Sequence, residues 1–125
     1  MAYMDVSELV TEEFPIDEQR LDPYARKLFS QVFTGMNGRY TRMKIIKALV
    51  EEPSNVNQIS KKLGYDYKSI QRNLKILQKN QLVESVGDRY GEMYFVSDLL
   101  MKNLKTLDGV LRGVDIKLNK KKTYL

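Results

Sequence analysis

The sharp turn expected at Gly64, set between two helical patterns, constrains this chain more than any other feature. Before the turn, Ile59 and Leu63 mark a short helix for which Asn55 and Asn57 are both candidate caps. Gly64 tolerates left-handed dihedrals at no steric cost, so it can end that helix and redirect the chain. Asp66 can then cap a longer helix, with Ile70, Leu74, Ile76 and Leu77 read as its inward side. Next come Leu82, Val83 and Val86, the turn residues Gly87-Asp88, and the run Met93, Tyr94, Phe95, Val96. Two β-prone runs around a glycine-containing loop read as a hairpin. The order short helix, turn, longer helix, hairpin defines a mainly α chain with a small β-hairpin.

Helices flank this unit. Upstream, Met43, Ile45, Ile46, Leu49 and Val50 form an apolar helix that stops before Glu52-Pro53. Before it, Asp22 is placed to cap a helix with Pro23 in its first turn. Tyr24, Leu28, Phe29, Val32 and Phe33 recur along that helix, and Gly35, Asn37 and Gly38 break the chain after it. Val6, Leu9 and Val10 suggest a short helix closed by Phe14-Pro15. A final helix from about Asp98 carries Leu100, Leu104, Leu107 and Leu111 on one side. The expected organisation is an acidic extension over 1–21, a core unit over 22–97, a C-terminal helix over 98–113 and a basic tail over 114–125.

Composition closes several routes to function. At 125 residues there is room for one domain with short extensions. Hydrophobic content of 42% beside 30% charge suits a soluble domain with a real core. No apolar run approaches the roughly 18 residues of a membrane span, and the start MAYMDVSELV has no secretory pattern. The chain has no cysteine, so disulfides and thiolate metal sites are excluded, and a cytoplasmic setting is expected. It also has no histidine, the commonest metal ligand and the usual general base near neutrality. Glu12-Glu13 and Glu51-Glu52 are neighbours in sequence and point apart on a helix, which makes them poor acid–base pairs. No enzyme, no metal and no cofactor is the expectation. Gly87 and Gly91 lack the Gly-Lys-Ser/Thr of a phosphate loop.

Charge is unevenly spread. Residues 1–23 hold seven acids and one base, −6, so residues 24–125 hold twenty bases and nine acids, +11. A body this basic attracts a polyanion. The longer helix offers a matching surface. Tyr67, Lys68, Gln71, Arg72 and Lys75 fall within roughly 140° of arc, away from the apolar side. Arg72 can present a fork to guanine and Gln71 can pair with adenine. Lys68 and Lys75 suit phosphates, and Tyr67 can stack or donate a hydrogen bond. The same residues would also make an ordinary solvated face, and the surrounding layout weighs against that.

The stretch between Val56 and Val96, NQISKKLGYDYKSIQRNLKILQKNQLVES followed by YGEMYFVS, resembles the winged helix-turn-helix of ArsR-type bacterial and archaeal regulators. The resemblance rests on Leu63-Gly64, on Ile70 with Leu74 and Leu77, and on Leu82-Val83. It implies a winged helix-turn-helix with flanking N- and C-terminal helices. Tyr67, Lys68, Gln71 and Arg72 would then face bases and adjacent phosphates of double-stranded DNA, with Arg89 in the wing tip Gly87–Gly91 on the minor groove or backbone. Metal sensing is not implied, because the family's Cys and His ligands are missing here. A homodimer is implied, and the stripe Leu100, Leu104, Leu107, Leu111 is assigned to its seam in preference to packing on its own domain.

The leading expectation is a sequence-specific, dimeric transcriptional regulator of double-stranded DNA. The alternative is a winged-helix interaction or assembly module of the transcription machinery, whose acidic leader would meet a basic partner. Single-strand binding is disfavoured, since Tyr40, Tyr65, Tyr67, Tyr90 and Tyr94 scatter over different elements. Lys120, Lys121 and Lys122 read as a solvated tail, with phosphate contact a lesser reading. The acidic leader is also read as a charge mimic that competes with DNA for the basic body.

Overall fold

Eight elements follow one another in the computed structural model, which describes residues 22–33, 38–88 and 91–123, with side chains in the last helix to Gly113. They are α1 (Pro23–Phe33), α2 (Arg39–Glu51), α3 (Val56–Leu63), α4 (Tyr67–Lys79), β1 (Val83–Val86), β2 (Met93–Val96), α5 (Asp98–Lys102) and α6 (Leu104–Thr123). The leader 1–21, including the helix expected around Val6–Val10, lies outside the described residues, as do Gly35, Asn37, Arg89 and Tyr90.

Each boundary has a local cause. Asp22 Oδ1 accepts the Tyr24 amide at 2.9 Å at the head of α1. Of the two candidate caps for α3, Asn55 is the one used. Its side chain accepts the Gln58 amide while Gln58 Oε1 accepts the Asn55 amide, both at 2.8 Å. Gly64 closes α3 at φ 75°, the left-handed region where only glycine is unstrained. Asp66 then caps α4 by accepting the Ser69 amide.

β1 and β2 pair antiparallel, with Val83 opposite Val96 and Val86 opposite Met93. A third edge was not foreseen. Ser54, just before α3, exchanges both backbone hydrogen bonds with Tyr94, at 3.0 and 2.8 Å, and so ties the start of the helix-turn-helix to the hairpin.

The core gathers one face of each helix. Ile70, Leu74 and Leu77 of α4 meet Met43, Ile46 and Leu49 of α2 and Ile59 of α3 in a single buried cluster. Ile76, expected inside, is only half-buried, and Asn73 takes the inward place instead, at 5% exposure. Helical geometry explains this: position 76 lies roughly 120° from Ile70 around the axis, and position 73 about 60°.

Three expectations about the C-terminus are corrected. The helix from Asp98 is broken at Asn103, whose Nδ2 donates to the Leu99 carbonyl at 2.8 Å, so α5 and α6 are separate. α6 also runs through Gly113 to Thr123, where a tail had been expected from 114. A helical glycine costs only about 1 kcal/mol, too little to stop a helix by itself. More important, the leucine stripe is already covered. Leu100, Leu104 and Leu107 are 0% exposed and Leu111 is 9% exposed, packed in the chain's own core with Phe29 and Val32 of α1. Those side chains do not form a seam open to a second copy, because α1 packs along α6 and the chain's own core takes up Leu100.

Candidate nucleic-acid interface

α4 owes its position to the elements beneath it, and its outer face follows from that. Below, α2 and α3 hold Ile70, Leu74 and Leu77. At its start, Lys44 Nζ donates to the Tyr65 hydroxyl at 3.2 Å and lies 5.5 Å from the ring centroid. Hydrogen bonds from Lys44, and secondarily Thr41, hold the Tyr65 phenol below its ordinary pKa. Ser60 Oγ donates to the Tyr65 carbonyl, so the turn between α3 and α4 is braced on two sides. At the far end, Gln78 Nε2 donates to Ser85 Oγ at 3.0 Å and ties α4 to β1.

The outer face carries the anticipated residues. Lys68, Arg72 and Lys75 are exposed, Tyr67 is 48% exposed, and Gln71 is half-buried. A furrow of about 380 Å³ runs along this side, lined by Lys68, Gln71, Arg72, Lys75, Ile76 and Lys79. Lys79 had not been singled out, although it falls about 20° from Arg72 on the helical wheel. Four cations thus follow one another over roughly 16 Å of helix. Ile76 gives the furrow an apolar floor, a surface that suits the thymine methyl.

A second groove, about 530 Å³, separates α4 from β2 and the head of α3 and includes Asn57, Tyr67, Gln71, Lys75, Gln78 and Glu92. Gln71 and Lys75 therefore border both depressions. The Glu92 carboxylate accepts the Tyr94 hydroxyl proton. Burial first, and that hydrogen bond second, push the Tyr94 phenol above its usual range. Arg89 of the wing tip lies outside the described residues, whereas Val86 at the end of β1 is 58% exposed.

An antiparallel hairpin after a helix-turn-helix, with a cationic and amide-bearing outer face on the second helix, defines a winged helix-turn-helix domain. Residues 39–85 match the family model described as bacterial regulatory protein, arsR family. Among solved structures, the chain is similar to the homodimeric winged helix-turn-helix DNA-binding domain of a possible ArsR-family transcriptional regulator from Mycobacterium bovis. The likeness is 17% identity with a TM-score of 0.51, over 81% of this chain and 84% of that one. It is also similar to an ArsR-like transcriptional regulator from a Rhodococcus species, at 22% identity and TM-score 0.54, over 80% of this chain and 92% of that one. No curated protein sequence matches the chain. The resemblance to ArsR-type regulators is therefore shown, and the chain has their fold. The matched family and both structures are described as regulators, not as enzymes.

Among the described residues, no three Asp or Glu side chains converge as a metal site would require. Among them, too, no helix is long and apolar enough to cross a membrane.

Proposed function

We propose that the chain is a sequence-specific regulator of double-stranded DNA that acts as a homodimer, with α4 in the major groove and the hairpin against the backbone or minor groove. The observation that carries this reading is the exposed run Lys68, Arg72, Lys75, with Gln71 beside it, on a helix fixed from below. Arg72 and Gln71 are the base-reading pair, while Lys68, Lys75 and Lys79 meet phosphates. Tyr67, at the head of α4, contacts the backbone or a base edge, and Arg89 is the wing contact.

The dimer reading is supported by the description of the Mycobacterium bovis domain as homodimeric. With the leucine stripe covered, the seam falls to the outer sides of α1 and α6, where Tyr24 is 53% exposed. Two copies would then present two copies of α4 to half-sites about one helical turn apart.

The test is a titration of duplexes selected from a random library against Arg72→Ala and Gln71→Ala, with mass measured in solution. Arg72→Ala should lose about 1–3 kcal/mol of discrimination at one base position. Unchanged affinity and unchanged preference in both variants would refute the assigned face. A chain that binds no duplex but captures a transcription-machinery protein would favour the docking-module reading.

A further inference from the structure

Three helices meet through one part-buried polar contact, and the DNA-binding reading above makes no use of it. Arg42 lies in the first turn and a half of α2. Its Nε donates to Asn73 Oδ1 at 3.0 Å, and its Nη1 donates to the Val32 carbonyl at 2.7 Å. Val32 belongs to the last turn of α1, so the guanidinium satisfies a helix-end carbonyl and at the same time grips α4. Asn73 Nδ2 donates to the Ser69 carbonyl at 2.8 Å. That bond fixes which way the amide points, since a flipped amide would set its NH₂ against the Arg42 N–H.

The backbone is shaped around this contact. Gly38 stands at the N-cap of α2 with φ 78° and provides no side-chain cap, although Ser, Thr, Asp or Asn would ordinarily be favoured there. A Cβ at Gly38 would lie 3.0 Å from Asn73 Oδ1 and 3.1 Å from Arg42 Nη2, so a larger residue would press on the bridge itself. Burial, and then the charge of Arg72, act to depress the Arg42 pKa.

We infer that Arg42 and Asn73 are positioning residues: they lock α4 to the end of α1 and thereby set the register in which Gln71 and Arg72 meet base edges. Asn73 directly follows Arg72 in the chain, so a rotation of α4 that breaks the bridge carries the reading pair with it. The inference rests on the DNA-binding reading, and it adds the device that turns a cationic helix into a selective one. Charge alone does not supply this function, because two acceptors on different helices must be reached by two nitrogens of one planar group.

The experiment compares the wild-type chain, Arg42→Lys, Asn73→Leu and the double variant. Each is titrated with a duplex selected by the wild-type chain from a random library and with a shuffled duplex of equal length, at several salt concentrations. Thermal unfolding checks the fold. Lys keeps the charge but cannot form the fork, so Arg42→Lys should lower the ratio of selected to shuffled affinity about tenfold, with the salt slope unchanged. The double variant should be no less selective than the poorer single one, since both remove the same contact.

A wild-type ratio in Arg42→Lys, or losses that add in the double variant, would overturn the bridge while leaving DNA binding intact. A salt slope lowered in Arg42→Lys would overturn it in favour of a direct phosphate contact. If Asn73→Leu fails to fold, the Arg42→Lys arm decides alone. A wild-type chain that binds neither duplex overturns the DNA-binding reading, and the inference with it.

Discussion

α4 and the α5–α6 segment look alike in sequence: each carries an apolar stripe at helical spacing. They differ in what covers the stripe and in what remains outside. In α4, α2 and α3 take the stripe, and the opposite face is left with Lys68, Arg72, Lys75 and Lys79. In α5–α6, α1 and the rest of the core take the stripe within the same chain, so the leucines that looked available for a partner are spent on the fold. An apolar period says that a face must be covered and is silent about what covers it. Polar identities say more, because a fork or an amide on a fixed helix limits what can bind.

The comparison can be broken most directly at Leu104. Leu104→Ala should cost about 2–5 kcal/mol of stability, read by thermal or urea unfolding, with a loss that does not depend on protein concentration. A loss that shrinks as concentration rises would return the stripe to a dimer seam.

Arg72→Ala tests the opposite face. Its unfolding free energy should stay within about 0.5 kcal/mol of the wild type, as for an exposed substitution, even though discrimination falls as described above. A large loss of stability would mean that the outer face of α4 also holds the fold.

A smaller effect sharpens the boundary between the two roles. Asn55→Ala removes the capping box of α3 and should cost about 1 kcal/mol of stability, checked by unfolding. Preference among duplexes should be unchanged, since Asn55 acts on the backbone of its own helix.

The smallest effect belongs to Lys79, the last cation along the furrow. Lys79→Ala should weaken all duplexes alike and reduce the salt slope by about one. A change in preference instead of slope would make Lys79 a reader of bases.

Much of the domain was legible from single residues. Gly64, Asp66, Asp22 and Asn55 mark element ends through backbone chemistry that needs no distant partner. The reading face of α4 was legible for a similar reason, since helical geometry separates it from Ile70, Leu74 and Leu77 before any packing is known. Asn73, Ile76 and Lys79 were open to the same arithmetic, applied more strictly. The bridge of Arg42 to Asn73 and Val32 and the third edge at Ser54 were not, because their partners lie far apart in sequence.

By itself, then, the order of residues determined the helix-turn-helix, the hairpin and the chemistry displayed on α4, all consequences of local dihedral preference and of period. Tertiary structure alone decided that α1 rather than a second copy packs along α6 over Leu104 and Leu107, and that Arg42 joins three helices. The reason is physical: burial depends on which surfaces meet, and a stripe of leucines fits any apolar partner, whereas a cap or a left-handed glycine has only one place to act.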